Sequence, residues 1–210
     1  MKRILITGFK PFGDYVENIS EIAATEIKAL GDYNVQGIVF PTIIFPENGE
    51  DYGETIISYA KEMKANAIIS LGIASAVQGI RIESRAINWV ENEKYCLPTE
   101  QRRVIDETLI LKKEFKVDLE KWLLSKLWHR ALLEEKMSFS DVDCKLDSSH
   151  DAGTFCCNAL MSRTLRALQK YDSDMPYLFL HVSPSIELAK LKNVLEFIVV
   201  HAERGWPRYY

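Results

Sequence analysis

Cys157 and His181 are the two residues whose types and settings best suit nucleophilic chemistry. Cys157 lies in Ala152-Gly153-Thr154-Phe155-Cys156-Cys157-Asn158, just ahead of a run with helical periodicity, and His181 closes the apolar segment Leu178-Phe179-Leu180-His181-Val182. A thiol at a helix start feels about half a positive charge from the aligned peptide dipoles, which favours thiolate over thiol. A strand-end imidazole within reach could hold that thiolate and later return a proton, although a satisfied core histidine would leave the same trace in the sequence. His129 lies on a charged helix, His150 just ahead of the cysteine segment and His201 in the last helical run, where hydrated or capping roles suit them.

Two further groups could join such a site. The loop Gly8-Phe9-Lys10-Pro11-Phe12-Gly13 places two phenyl rings three residues apart on a turn stiffened by Pro11. They read equally well as core anchors or as an apolar slot. Glu83 alternates with Ile80 and Ile82 and shares a strand face with Arg81. Taken alone it reads as a solvated partner of Arg81 or Arg85.

Composition narrows the class. A chain of 210 residues can bury roughly 70% of its unfolded surface in one core, and no Pro/Gly/Ser-rich linker divides it, so a single domain over 1–210 is expected. With 26 basic and 30 acidic residues, the net charge is −4 and no basic stripe exists. Nucleic acid and anionic membrane are therefore excluded as expected partners. No apolar stretch reaches eighteen residues, and the opening Met1-Lys2-Arg3 is followed by only three apolar residues, so a cytoplasmic protein is expected. Four cysteines without CxxC spacing read as reduced thiols, and there is no HExxH or paired Cys/His spacing, so neither metal nor cofactor is expected.

The elements that must position the candidates alternate along the chain. Strands are expected over Arg3–Thr7, Val35–Phe40, Ala67–Gly72 and Tyr177–Val182. Helices are expected from Ile19 to Leu30 and over roughly 52–63, 118–136, 154–171 and 186–203. Nearly continuous apolar strands between helices predict an α/β fold, a three-layer αβα sandwich around a mostly parallel sheet. In such sheets ligands sit beyond the carboxyl ends of the strands, where Gly8, Gly72 and His181 fall. The first loop lacks GxGxxG, which argues against a dinucleotide site.

Four blocks together, Gly8-Phe9-x-Pro11-Phe12-Gly13, Glu83-x-x-Ala86-Ile87-Asn88, Ala152-Gly153-Thr154-Phe155-x-Cys157-Asn158 and His181-Val182, resemble those of the pyroglutamyl peptidase I (pyrrolidone carboxyl peptidase) family. Asn18-Ile19-Ser20 is similar to that family's Asn-Pro-Ser/Thr stretch. The resemblance runs from residue 3 to about 90 and from about 148 to 183. It implies a cytoplasmic, homo-oligomeric cysteine exopeptidase that acts on peptides with an N-terminal pyroglutamate. In that reading Cys157 is the nucleophile, His181 the general base and acid, and Glu83 the group that orients the ring. Phe9, Phe12 and Phe155 would clasp the lactam.

The chain also departs from the pattern. The family's Gly-Gln-Ala-Gly-Gly-Arg is here Gly72-Ile73-Ala74-Ser75-Ala76-Val77, its Glu-Arg-Val is Glu83-Ser84-Arg85, and Asn92-Glu93-Lys94-Tyr95 replaces an arginine-bearing stretch. The family's Tyr-x-Ser-Thr-Leu-Pro is not recognisable around 104–120, and Ser183 stands for a proline. These changes identify a divergent member. They leave as alternatives a hydrolase of altered N-terminal specificity, or a homologue that binds a small ligand or peptide without catalysis.

Overall fold

In the computed structural model, which describes residues 2–43, 46, 48–91, 102–103, 105, 113–117 and 144–202, the apolar segments assemble into one seven-stranded sheet. In chain order the elements are β1 (Arg3–Phe9), α1 (Ile19–Glu26), β2 (Ala29–Leu30), β3 (Tyr33–Phe40), α2 (Tyr52–Glu62), β4 (Ala67–Ile73), β5 (Ile80–Glu83), β6 (Arg85–Ile87), β7 (Val90–Glu91), β8 (Arg102–Arg103), β9 (Glu114–Lys116), β10 (Leu146–Ser149), α3 (Cys156–Lys170), β11 (Tyr177–Val182) and α4 (Leu188–Ala202). The sheet order is β10-β5-β11-β4-β1-β3-β2. β3, β1, β4 and β11 run parallel, whereas β5 runs antiparallel to β11 and β2 antiparallel to β3. Two small ribbons, β6 with β9 and β7 with β8, lie beside it.

β1 and β4 are almost wholly buried because both sheet faces are covered. On one face α1 packs on β1, β3 and α4. Gly8 and Gly37 permit this approach, since a Cβ at either would lie 2.0 or 1.8 Å from a carbonyl oxygen of α1, Ser20 or Ala24. On the other face α2 and α3 pack together, with Gly53 set against the backbone of Arg163. Asp51 caps α2 by accepting from the Gly53 and Glu54 N–H groups at 2.9 and 3.2 Å, and its carboxylate also pairs with Arg166 of α3. The three-layer arrangement is the expected one, and no helix among the described residues is long and apolar enough to cross a membrane.

Several boundaries differ from expectation. The first helix stops at Glu26 instead of Leu30: Ile27 turns extended at ψ 115°, and Ala29–Leu30 pairs with Tyr33–Asn34 around Gly31, whose φ is +54°. The apolar spacing of Ile27 and Leu30 fits an edge hairpin as well as a helical face. β1 continues through Gly8 to Phe9, and β4 reaches Ile73, because both keep parallel partners beyond the glycine. The helix expected over 118–136 lies outside the described residues.

Candidate active site

α3 opens with Phe155 at its N-cap, in extended conformation (φ −120°, ψ −153°) and without a side-chain hydrogen bond to the first turn. An apolar residue there leaves the cap's usual oxygen acceptor missing at the positive end of the helix. Successive helical residues lie about 100° apart, and the two thiols diverge accordingly: Cys156 is buried in the core, while Cys157 is half-buried and faces β4 and β11. Cys144, Cys156 and Cys157 form no disulfide.

β11 brings His181 opposite Gly72 of β4 on one side and Arg81 of β5 on the other. Residues paired in register share a sheet face, so Thr7, Ser70, Gly72, Phe179, His181 and Glu83 all point toward α3. Phe179 meets the imidazole edge to face at 5.3 Å between centroids. Glu83, 98 residues away in sequence, accepts a hydrogen bond from His181 Nδ1 at 2.8 Å. That bond fixes the tautomer and leaves Nε2 for the other side of the ring. Glu83 is fully buried, and its Oε2 has no hydrogen-bond partner among the described residues. The reading of Glu83, taken alone, as a solvated partner of Arg81 or Arg85 is thereby corrected: the carboxylate is buried against His181, and Arg85 pairs with Glu114 at 2.7 Å. The antiparallel turn of β5 against β11 carries Glu83 inward.

The electrostatics follow from this packing. Burial opposes the charged imidazolium, yet the Cys157 sulfur, by charge and by hydrogen bond, and then the Glu83 carboxylate outweigh it and push His181 up from 6.5 to about 10. A ring that stays cationic between a sulfur and a carboxylate is placed both to hold a nucleophile and to donate a proton.

The three phenylalanines divide into two groups. Phe9 is 3% exposed and belongs to the core. Phe12 and Phe155 are half-buried, with ring centroids 6.4 Å apart, and Tyr15 adds an edge contact to Phe12 at 5.6 Å. The loop bearing them is held by Asn18, whose Nδ2 donates to the Lys10 carbonyl at 3.2 Å. Asn18 Oδ1 accepts from Ser20 Oγ at 2.7 Å, and that hydroxyl in turn accepts from Phe9 N–H at 3.0 Å.

Asn158, named in the sequence motif but given no task there, joins the helix start to the strand region after Glu83. Its Oδ1 accepts from Ile87 N–H at 2.8 Å, and its Nδ2 donates to the Ile87 and Trp89 carbonyls at 2.9 and 2.8 Å. The available signal was an asparagine on the apolar side of a helix, where a buried amide must find partners. Of the divergent segments, Gly72–Ile73 ends β4 and Ala74 continues into a turn in which Val77 N–H donates to the Ala74 carbonyl at 3.0 Å. Asn92-Glu93-Lys94-Tyr95 lies outside the described residues. Among the described residues no three His, Cys, Asp or Glu side chains converge as a metal site.

With this geometry in place, comparison with known proteins gives a consistent result. A model of the pyroglutamyl peptidase family matches residues 2–194. The pyrrolidone-carboxylate peptidase of Oceanobacillus iheyensis is 29% identical over 211 residues, covering 98% of this chain and 96% of that one. The corresponding protein of Thermococcus litoralis is 28% identical, covering 87% and 76%. Among solved structures, the pyrrolidone carboxyl peptidase of Thermococcus litoralis superposes with a TM-score of 0.73 at 23% identity, over 97% of this chain and 94% of that one. A mutant pyrrolidone carboxyl peptidase of Pyrococcus furiosus superposes with a TM-score of 0.71 at 20% identity, over 96% and 98%. The structural likenesses speak for the fold.

Proposed function

This chain belongs to the pyroglutamyl peptidase family, cysteine peptidases that remove N-terminal pyroglutamate from peptides, and we propose that Cys157 is its nucleophile, His181 its general base and acid, and Glu83 the group that orients the ring. The observation that carries this reading is the buried His181 imidazole, engaged by the Glu83 carboxylate on one side and the Cys157 sulfur on the other.

The Cys157 thiolate attacks the carbonyl carbon of the pyroglutamyl residue, and the resulting oxyanion is met by backbone N–H groups at the start of α3, including that of Cys157. The imidazolium gives its proton to the departing amine as the C–N bond breaks, leaving a thioester on sulfur. Neutral His181 then takes a proton from water, whose oxygen displaces the thiolate to release pyroglutamate. Glu83, accepting from Nδ1 throughout, keeps the ring in one tautomer and favours its charged form. The neutral, flat lactam suits the slot between Phe12 and Phe155, with Phe9 behind it as packing.

We infer that residues 1–210 form one domain acting in a reducing cytoplasm, where the three described cysteines, none in a disulfide, are at home, and, as the family resemblance implies, a homo-oligomer. The decisive test is turnover of a chromogenic pyroglutamyl amide by wild type and Cys157→Ser side by side. A loss of roughly 10⁴-fold is expected, and undiminished activity in the variant rejects Cys157 as nucleophile.

A further inference from the structure

Gly72 occupies the interior of the sheet, in a strand where every other residue carries a side chain. A glycine in such a place weakens the strand and marks a close approach by something else. Its φ is not positive, so its conformation is open to any residue and does not account for it. Space does. A Cβ at Gly72 would lie 2.6 Å from Cys157 Sγ, 3.2 Å from Phe179 Cζ and 3.5 Å from His181 Cδ2. Gly8, Gly37 and Gly53 differ, because there the missing side chain makes room for the backbone of a neighbouring helix. At Gly72 the intruding atom is the nucleophilic sulfur.

We propose that Gly72 is a positioning residue whose bare backbone forms the seat that holds the Cys157 sulfur against His181, an inference that rests on Cys157 being the nucleophile. A methyl group on the seat leaves the sulfur about 1 Å too close for ordinary van der Waals contact. Phe179 closes the sideways route for that methyl. The strain is relieved most easily by the flexible partner: Cys157 χ1 turns to another staggered well, or the sulfur backs away from the sheet. Either movement takes it from the imidazole, while the core packed by β4 is preserved. The fold thus survives and the ion pair does not.

The test uses Gly72→Ala in the full chain, with iodoacetamide labelling of each thiol followed by mass spectrometry across pH, alongside turnover of a pyroglutamyl amide. In wild type, Cys157, held against the His181 ring, labels much faster than Cys144. In Gly72→Ala the Cys157 labelling rate falls at least about tenfold, and kcat drops by roughly 10²-fold with little change in KM. The urea midpoint supplies an independent reading through a double-mutant cycle: Gly72→Ala lowers it less when Cys157→Ala has already removed the sulfur. A Gly72→Ala protein that labels with the wild-type rate and pH profile, or that loses the same stability in both backgrounds, overturns the seat. A wild-type Cys157 no more reactive than Cys144 overturns the nucleophile assignment itself, and the seat with it.

Discussion

Replacing Glu83 by glutamine keeps the shape of the side chain and removes its charge, which isolates the carboxylate's electrostatic contribution. With Nδ1 and Oε1 2.8 Å apart, the charge centres lie about 4 Å from one another, and an effective dielectric of about 20 sets a ceiling of about 4 kcal/mol on their attraction. Opposite charges at this range move a pKa by about 1 to 3 pH units. The Cys157 sulfur contributes more than Glu83 to the elevation of His181, so the lower part of that range applies. The catalytic form needs the imidazolium to protonate the leaving amine, so the alkaline limb of kcat/KM reports its loss. That limb is expected near 10 in wild type, and roughly one to two pH units lower in Glu83→Gln. Linkage gives a second readout. Because the folded value lies above the ordinary 6.5, the charged ring stabilises the fold fully below about pH 6.5, and that contribution is lost as pH rises toward 10. Urea midpoints between pH 6 and 10 should therefore slope downward in wild type and less steeply in Glu83→Gln. A folded Glu83→Gln enzyme whose alkaline limb stays near 10 would show that the Glu83 charge does not sustain the imidazolium.

The phenylalanines should separate by assay. Phe9→Ala, at a buried core position, should cost about 3 to 5 kcal/mol in urea unfolding, whereas Phe12→Ala and Phe155→Ala should raise KM for the pyroglutamyl amide roughly tenfold with small changes in midpoint. A stable Phe9→Ala protein with raised KM would move that ring from the core into the slot. Asn158→Ala strands one N–H and two carbonyls that the amide now satisfies, and a loss of about 2 to 4 kcal/mol is expected by the same measurement. An unchanged midpoint would show that water replaces the amide without penalty.

The sequence carried the layered architecture because β1, β4 and β11 are apolar on both faces, a pattern that only a covered sheet explains. It singled out Cys157 and His181 as candidates because a cysteine at a helix start and a histidine near the end of an apolar strand are each out of keeping with their surroundings. Glu83 was another matter: local alternation placed it beside Arg81 as a surface group, and only the long-range pairing of β5 with β11 turns it inward. The end of α1 was obscured because Ile27 and Leu30 satisfy a helical period and an edge hairpin alike. Gly72 could be seen as a glycine in a strand, but the atom that fills its space comes from 85 positions further along the chain, a relation no local pattern encodes.

The last strand of the sheet in sequence is seated near its middle, between β4 and β5. Before residues 177–182 leave the ribosome, β5 and β10 have only each other, a two-stranded ribbon too weak to stand alone in water. The growing polypeptide therefore carries Cys157 and Glu83 before the strand bearing His181 exists to join them. Insertion of that one segment joins the two halves of the sheet and, in the same event, sets His181 between Glu83 and Cys157.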